Sequence, residues 1–279
     1  MKFQTRRKIT DGIMYALMVF GLSGVILALL YILAYVFSQA AGFLNISLIT
    51  DPVRGILPMI VTTLYVVLVS IVIALPVGIA TAIYLNEYSG GTRGVKILRL
   101  AIDTLAGIPS IIYGLFGLLV FSRMAGFGQS IIAGGLTLSV MILPVIIRTT
   151  EESLKSIPGS VREGSLALGA TKFQTIICVV LPPSLPGIVT ALILAVGRVI
   201  GESAPVLLTV GVTRSLPVSI FDSGRTLTIH LYELTKEALN QDDFGIAFAT
   251  AAVLVILVVL INTATKIITF KFGKNAGTK

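Results

Sequence analysis

Arg198 and Glu202 stand four residues apart in an otherwise apolar run that extends over 185–210. An arginine near the middle of a membrane helix costs about 2.5–3.5 kcal/mol on translocon scales, so something must offset it. On a helix the i, i+4 spacing brings the two side chains together on one face. Gly197 and Gly201 flank the arginine as a small-xxx-small pair, which either admits a neighbouring helix or leaves open space beside the charge. Pro205, one turn further on, is expected to loosen the helix. Two roles suit this constellation. An ion pair can fix helix packing and nothing more, or the guanidinium, a planar fork of donors, can bind a tetrahedral oxyanion on a path through the membrane. In the second role Glu202 holds the fork in orientation and keeps the anion weakly bound, as passage requires.

A second constellation lies upstream, Arg162-Glu163-Gly164-Ser165-Leu166-Ala167-Leu168-Gly169-Ala170-Thr171-Lys172, continuing to Val179-Val180-Leu181-Pro182. Glu163 to Leu168 is expected to form a short helix that Gly169 ends. Pro182, Pro183 and Pro186 are expected to break the chain before the next apolar run. So short a helix at a membrane surface has little core of its own and is suited to docking into another protein.

Other chemistry has few parts available. The chain holds one cysteine, Cys178, and one histidine, His230, which removes disulfide frameworks, cysteine zinc sites and His-rich metal sites. Inside the apolar runs there are no paired aspartates, no HExxH and no serine with a base, so an intramembrane hydrolase has no machinery. A GxxxxGK[ST] loop is also absent. No catalytic residue, metal site or cofactor is therefore expected, and any ATP hydrolysis belongs to a partner.

What must position these residues is a bundle of membrane helices. Of 279 residues 55% are hydrophobic and 12% charged, with a mean hydropathy of +0.98, against about 25% charged in soluble domains. A bilayer core requires about 20 apolar helical residues per crossing. Such runs occur at 13–37, 57–85, 105–124, 130–148, 185–210 and 244–268, so an all-α membrane protein of six transmembrane helices is expected. The alternation of an outer-membrane barrel is missing. The basic first residues and Ser38-Gln39-Ala40 imitate a signal peptide, but the apolar region is too long for one, and the first span is expected to remain as an anchor.

Lysine and arginine mark cytoplasmic loops. With the N-terminus inside, fifteen of the 21 basic residues are cytoplasmic: Lys2, Arg6, Arg7, Lys8, Arg93, Lys96, Arg99, Arg148, Lys155, Arg162, Lys172, Lys266, Lys271, Lys274 and Lys279. Arg54, Arg123, Arg214, Arg225 and Lys236 fall on the other side. The expected localisation is the cell inner membrane, multi-pass, with both termini cytoplasmic. These basic residues lie between apolar runs and form no patch on a folded domain, so no nucleic-acid partner is expected and lipid explains them. Asp103 is expected to pair with Arg99, four residues before it. The external segment 211–243 is expected to be polar and helical from Leu227 to Leu239, either touching a partner or simply solvated.

The loop spacing resembles the EAA loop of ABC importer permeases. Glu163, Gly169, Leu181 and Pro182 match it, Gly164 and Ser165 replace two alanines, and Val179 stands for isoleucine. The resemblance implies that this loop is the coupling helix docking into the ATPase. Gly107-Ile108-Pro109-Ser110-Ile111-Ile112-Tyr113-Gly114-Leu115-Phe116-Gly117 and Gly197-Arg198-Val199-Ile200-Gly201-Glu202-Ser203-Ala204-Pro205 look like the phosphate-import (Pst) branch, and the six-span chain is similar to its A-type subunit. In that branch an arginine at the place of Arg198 is implicated in phosphate passage, as is an Arg-x-x-x-Glu in the C-type partner. This sequence carries the Arg-x-x-x-Glu itself, so either subunit type fits.

The resemblance thus implies a type I ABC importer permease fold. It divides the chain into a tail, first helix and external loop at 1–56, a permease core of five transmembrane helices at 57–268 with its EAA loop at 149–184, and a cytoplasmic tail at 269–279. The implied partners are a second homologous permease, an ATP-binding cassette ATPase dimer and an extracytoplasmic phosphate-binding protein. Sulfate, molybdate or tungstate is the alternative substrate, because an arginine reads charge and shape only loosely.

Overall fold

The computed structural model describes residues 2–51, 55–88, 92–237 and 241–276, and every regular element among them is helical. Arg54, Leu239 and Lys279 lie outside the described residues. The first helix, α1 (Lys2–Ala40), is exposed along nearly its whole side from Thr10 onward and touches α12 (Gln241–Ala276). A short α2 (Ile46–Thr50) leads to α3 (Leu57–Ile83), which continues through a π-helical turn, Tyr84–Tyr88, as one span.

Next come α4 (Arg93–Ala106) and α5 (Ser110–Gly117), the latter extended by π-helical Leu118–Met124. The third span expected over 105–124 is not one helix: these two pieces meet at 101°. The physical cause is Pro109, which cannot donate into a helix and disfavours helical backbone at the residue before it. Counting the bent pair as one crossing gives six apolar spans, and five without it.

The centre of the bundle is α3 packed along α6 (Ile131–Lys155). Val66, Val69, Leu138, Met141, Ile142 and Ile146 are buried there. In lipid, close packing and not water release holds helices together. Gly78 and Gly135 allow the approach: a methyl group at either would overlap Ile146 or Val69.

Beyond α6 lie α7 (Gly159–Ala167) and α8 (Lys172–Gln174), then π-helical Thr175–Val180 running directly into α9 (Leu181–Gly201). The prolines therefore do not break the chain before the fifth span, which is helical over Lys172–Gly201. Pro182 and Pro183 fall in the first turn of α9, where a missing N–H costs least, and the π-helical stretch ahead of them resets the bonding register.

The expected run to 210 also ends early. Glu202 is extended (φ −78°, ψ 135°), and α10 (Ala204–Thr209) restarts with Pro205 in its first turn. After a loop, α11 (Leu227–Glu237) leads to α12.

Candidate functional site

Arg198 lies in the last turn of α9, not at mid-span, and Glu202 is the first residue past its end. Their side chains still meet, with Nε 3.7 Å from Oε1. That distance makes an ion pair and not a hydrogen bond. Arg198 Nε is buried without a hydrogen-bond partner among the described residues, although the side chain as a whole is 34% exposed. A Cβ built on Gly197 or Gly201 meets no atom within 4 Å, so within this chain the small residues leave space beside the arginine and no helix of the same chain fills it. The fork thus retains donors that Glu202 does not consume.

Three elements frame this break in the span. Between α5 and α10 a Cβ on Gly114 would come within 2.8 Å of Pro205 Cα, so only glycine permits that contact. Tyr113, one residue earlier and buried, donates its hydroxyl to the Leu105 carbonyl at 2.7 Å and ties α5 to α4 across the bend. From α11, Thr228 Oγ1 donates to the Glu202 carbonyl at 3.0 Å.

The segment after α10 is not simply solvated. Its backbone folds back on the start of α6: Ile131 N donates to Asp222 O at 3.0 Å and Ile132 N to Ile220 O at 2.8 Å, while Ser130 N donates to Thr209 O at 2.9 Å. These bonds satisfy amides that a helix start leaves unpaired. Leu227 N donates to Thr63 Oγ1 of α3 at 3.0 Å. Arg225 and His230 are 7% and 3% exposed. Arg225 Nε donates to the Val212 carbonyl at 2.9 Å. Burial, with Arg225 and Arg214 nearby, pushes the His230 imidazole down to about 4.

The upstream constellation forms a separate surface. Helix α7 buries none of its side chains, and Gly169 beyond its end has φ +87°, the left-handed conformation that glycine adopts without cost. Glu163 and Gly164 are exposed, and Ser165 Oγ lies 2.9 Å from Thr175 Oγ1. Leu168 is 91% exposed, and Leu166, Val161 and Phe173 are exposed around it. Leu181 and Pro182 are not on this surface; they sit half-buried at the start of α9.

Four ion pairs escape the sequence reading. Asp103 pairs with Arg148 of α6, and not with Arg99 as expected; Arg99 reaches Glu151 at 2.7 Å, where Lys155 also binds at 2.8 Å. Helix α4 lies against α6, so these cross-helix partners displace the i, i+4 one. Arg162 holds Glu87 of the π-helical turn, with Nε–Oε1 3.1 Å and Nη2–Oε1 2.9 Å. A lone acid at the end of an apolar run was the available signal for Glu87.

A family described as the inner membrane component of binding-protein-dependent transport systems matches residues 74–274. The chain is 34% identical over 281 residues to the probable ABC transporter permease protein YqgI of Bacillus subtilis, covering 93% of this chain and 95% of that protein. It is 38% identical over 232 residues to the phosphate transport system permease protein PstA 1 of Mycobacterium tuberculosis, covering 79% and 75%. Among solved structures, an inward-facing MetNI methionine ABC transporter superposes with TM-score 0.62 at 27% identity over 78% of this chain and 94% of that one. A bacterial alginate ABC transporter, with TM-score 0.68 at 17% identity over 93% and 96%, shares the fold. The chain belongs to the family of inner-membrane components of binding-protein-dependent transport systems, and its fold is that of a type I ABC importer permease.

Proposed function

We propose that this permease moves inorganic phosphate across the cytoplasmic membrane, with Arg198 as the anion-contacting residue and Glu202 as its tether. The observation that carries the reading is the partly used guanidinium of Arg198: its Nε has no hydrogen-bond partner among the described residues, a Cβ at the neighbouring Gly197 or Gly201 would meet no atom within 4 Å, and its acid sits 3.7 Å away, beyond hydrogen-bond reach. A phosphate arriving there finds charge and free donors in one place. Its departure is favoured because Glu202 competes for the same guanidinium. The 38% identity to a phosphate transport permease points to the same substrate.

In this reading Glu163, Gly164, Ser165 and Gly169 present the docking surface for the ATPase dimer, and Leu181 and Pro182 seat it on the fifth span. The exposed Leu168 and Leu166 support this, because apolar side chains beside so polar a loop gain from being covered. Both termini lie in the cytoplasm, in the cell inner membrane. The core at 57–268 pairs with a second homologous permease, and the outer segment receives the phosphate-binding protein. Membrane lipid covers α1.

The test is uptake of labelled phosphate by the reconstituted complex. Phosphate alone should compete with the label. Competition by sulfate, molybdate or tungstate at equal concentration would assign the chain to another oxyanion.

A further inference from the structure

Resting on the docking role proposed for α7, we infer that α3 is the strut carrying ATPase motion to the anion site, with Arg162–Glu87 as its inner joint and Thr63–Leu227 as its outer joint. Helix α7 has no buried side chain through which to push on the bundle. Beside the Ser165–Thr175 hydroxyl contact at the start of the fifth span, what fastens it is the Arg162 guanidinium, which spreads its donors over three acceptors. Glu87 takes Nε and Nη2, the Leu154 carbonyl takes Nη2 at 2.8 Å, and the Ile157 carbonyl takes Nη1 at 2.6 Å. A planar fork bound on several sides resists rotation as well as separation. The carboxylate of Glu87 receives a further bond from Asn86 Nδ2 at 2.7 Å. Lys172, just past α7, lies over the Tyr88 ring at 4.6 Å. The end of α3 is therefore gripped by the same loop from two sides.

From Glu87 the span runs without a break back to Leu57. Twenty-four residues separate Glu87 from Thr63, about 36 Å of helix. At that far end Thr63 Oγ1 accepts from Leu227 N and donates to Met59 O at 2.7 Å. Leu227 begins α11, and Thr228 beside it donates to the Glu202 carbonyl. Glu202 is the tether of Arg198. The surface loop and the anion site are thus joined by hydrogen bonds, the peptide link from Leu227 to Thr228 and one unbroken helical span that carries Pro76 in its interior. A displacement of α7 along α3 shifts the Glu202 backbone, and so changes the hold of its carboxylate on Arg198. Glu87, Arg162 and Thr63 are positioning residues in this scheme and touch no substrate.

The experiment uses the intact complex of both permeases, the ATPase pair and the binding protein in nanodiscs, carrying Cys178→Ser and a reporter cysteine in place of Gly201. The readouts are thiol labelling of the reporter before and after trapping with ATP and vanadate, ATPase stimulation by the loaded binding protein, and phosphate uptake. In Glu87→Gln and Thr63→Val the ATPase should remain bound with basal hydrolysis unchanged. The vanadate-induced change in labelling and the stimulation should each fall about tenfold or more. Thr63→Ser, which keeps the hydroxyl, should restore both. If Glu87→Gln yields no folded permease in the membrane, Arg162→Lys, which keeps the charge but cannot span three acceptors, is read in the same way.

Unchanged labelling and stimulation in these variants overturns the strut. Loss of the ATPase from the complex also overturns it, because the joint is then a docking brace alone. Failure of the wild-type complex to take up phosphate overturns the substrate reading only, since labelling requires just ATP and vanadate and still decides the strut.

Discussion

Arg198 and Glu202 meet at 3.7 Å across the point where the fifth span stops being helical. On an unbroken helix this spacing is routine. Here Glu202 hangs from extended backbone whose carbonyl is held by Thr228, so the pair can alter its separation without unwinding a turn. If Arg198 contacts the anion, Arg198→Gln should cut uptake by about 10–100-fold, the scale of losing charged hydrogen bonds, with assembly intact. Arg198→Lys should recover part of it. A purely structural pair predicts reduced assembly in the single variant, and wild-type uptake once Glu202→Gln is added. Labelled-phosphate uptake beside complex yield separates the two outcomes.

Gly169 ends α7 at φ +87°. A valine there pays about 1–2 kcal/mol for left-handed backbone, and it places a β-branched side chain on the exposed surface. Gly169→Val should insert normally, lose co-purifying ATPase and lose uptake. Pull-down of the ATPase from detergent extracts is the check, and retention of both functions would remove the docking assignment.

The proposed orientation places fifteen basic residues in the cytoplasm against five outside. A cytoplasm-specific reporter fused after Lys279 should be active, and one inserted at the exposed Val218 should work only outside. Reversed signals would invert the bundle, and with it the assignment of inner and outer joints.

The imidazole of His230, held near 4, binds its proton less readily folded than unfolded, where its value is near 6.5. A depressed folded value contributes stability at pH above 6.5, and that contribution is lost as pH falls from 6.5 towards 4. At about 1.4 kcal/mol per unit the loss is about 3 kcal/mol at most. Hydrogen exchange across 226–236, corrected for intrinsic rates, should accelerate over that window in the wild type. His230→Gln, which cannot charge, should flatten the dependence; a parallel response would show that another group titrates.

Composition and spacing alone were enough for the membrane and the all-helical class, and they singled out Arg198 and Glu202 as candidates. Lipid tolerates only self-satisfied backbone, and a charge in an apolar run must be offset by a partner or a ligand. Local rules failed where tertiary contact outbid them. Asp103 had a suitable partner four residues away, yet it took Arg148 because α4 lies across α6. Pro182 and Pro183 promised a break that a preceding π-helical stretch absorbed. Nothing in the order of residues joins Glu87 to Arg162, or Thr63 to Leu227, since 75 and 164 positions separate them. Those distances close only when α3 packs along α6 and the loop after α10 folds back on the bundle. The sequence could therefore name the charged parts, but the links between them depend on long-range packing that only the tertiary structure decides.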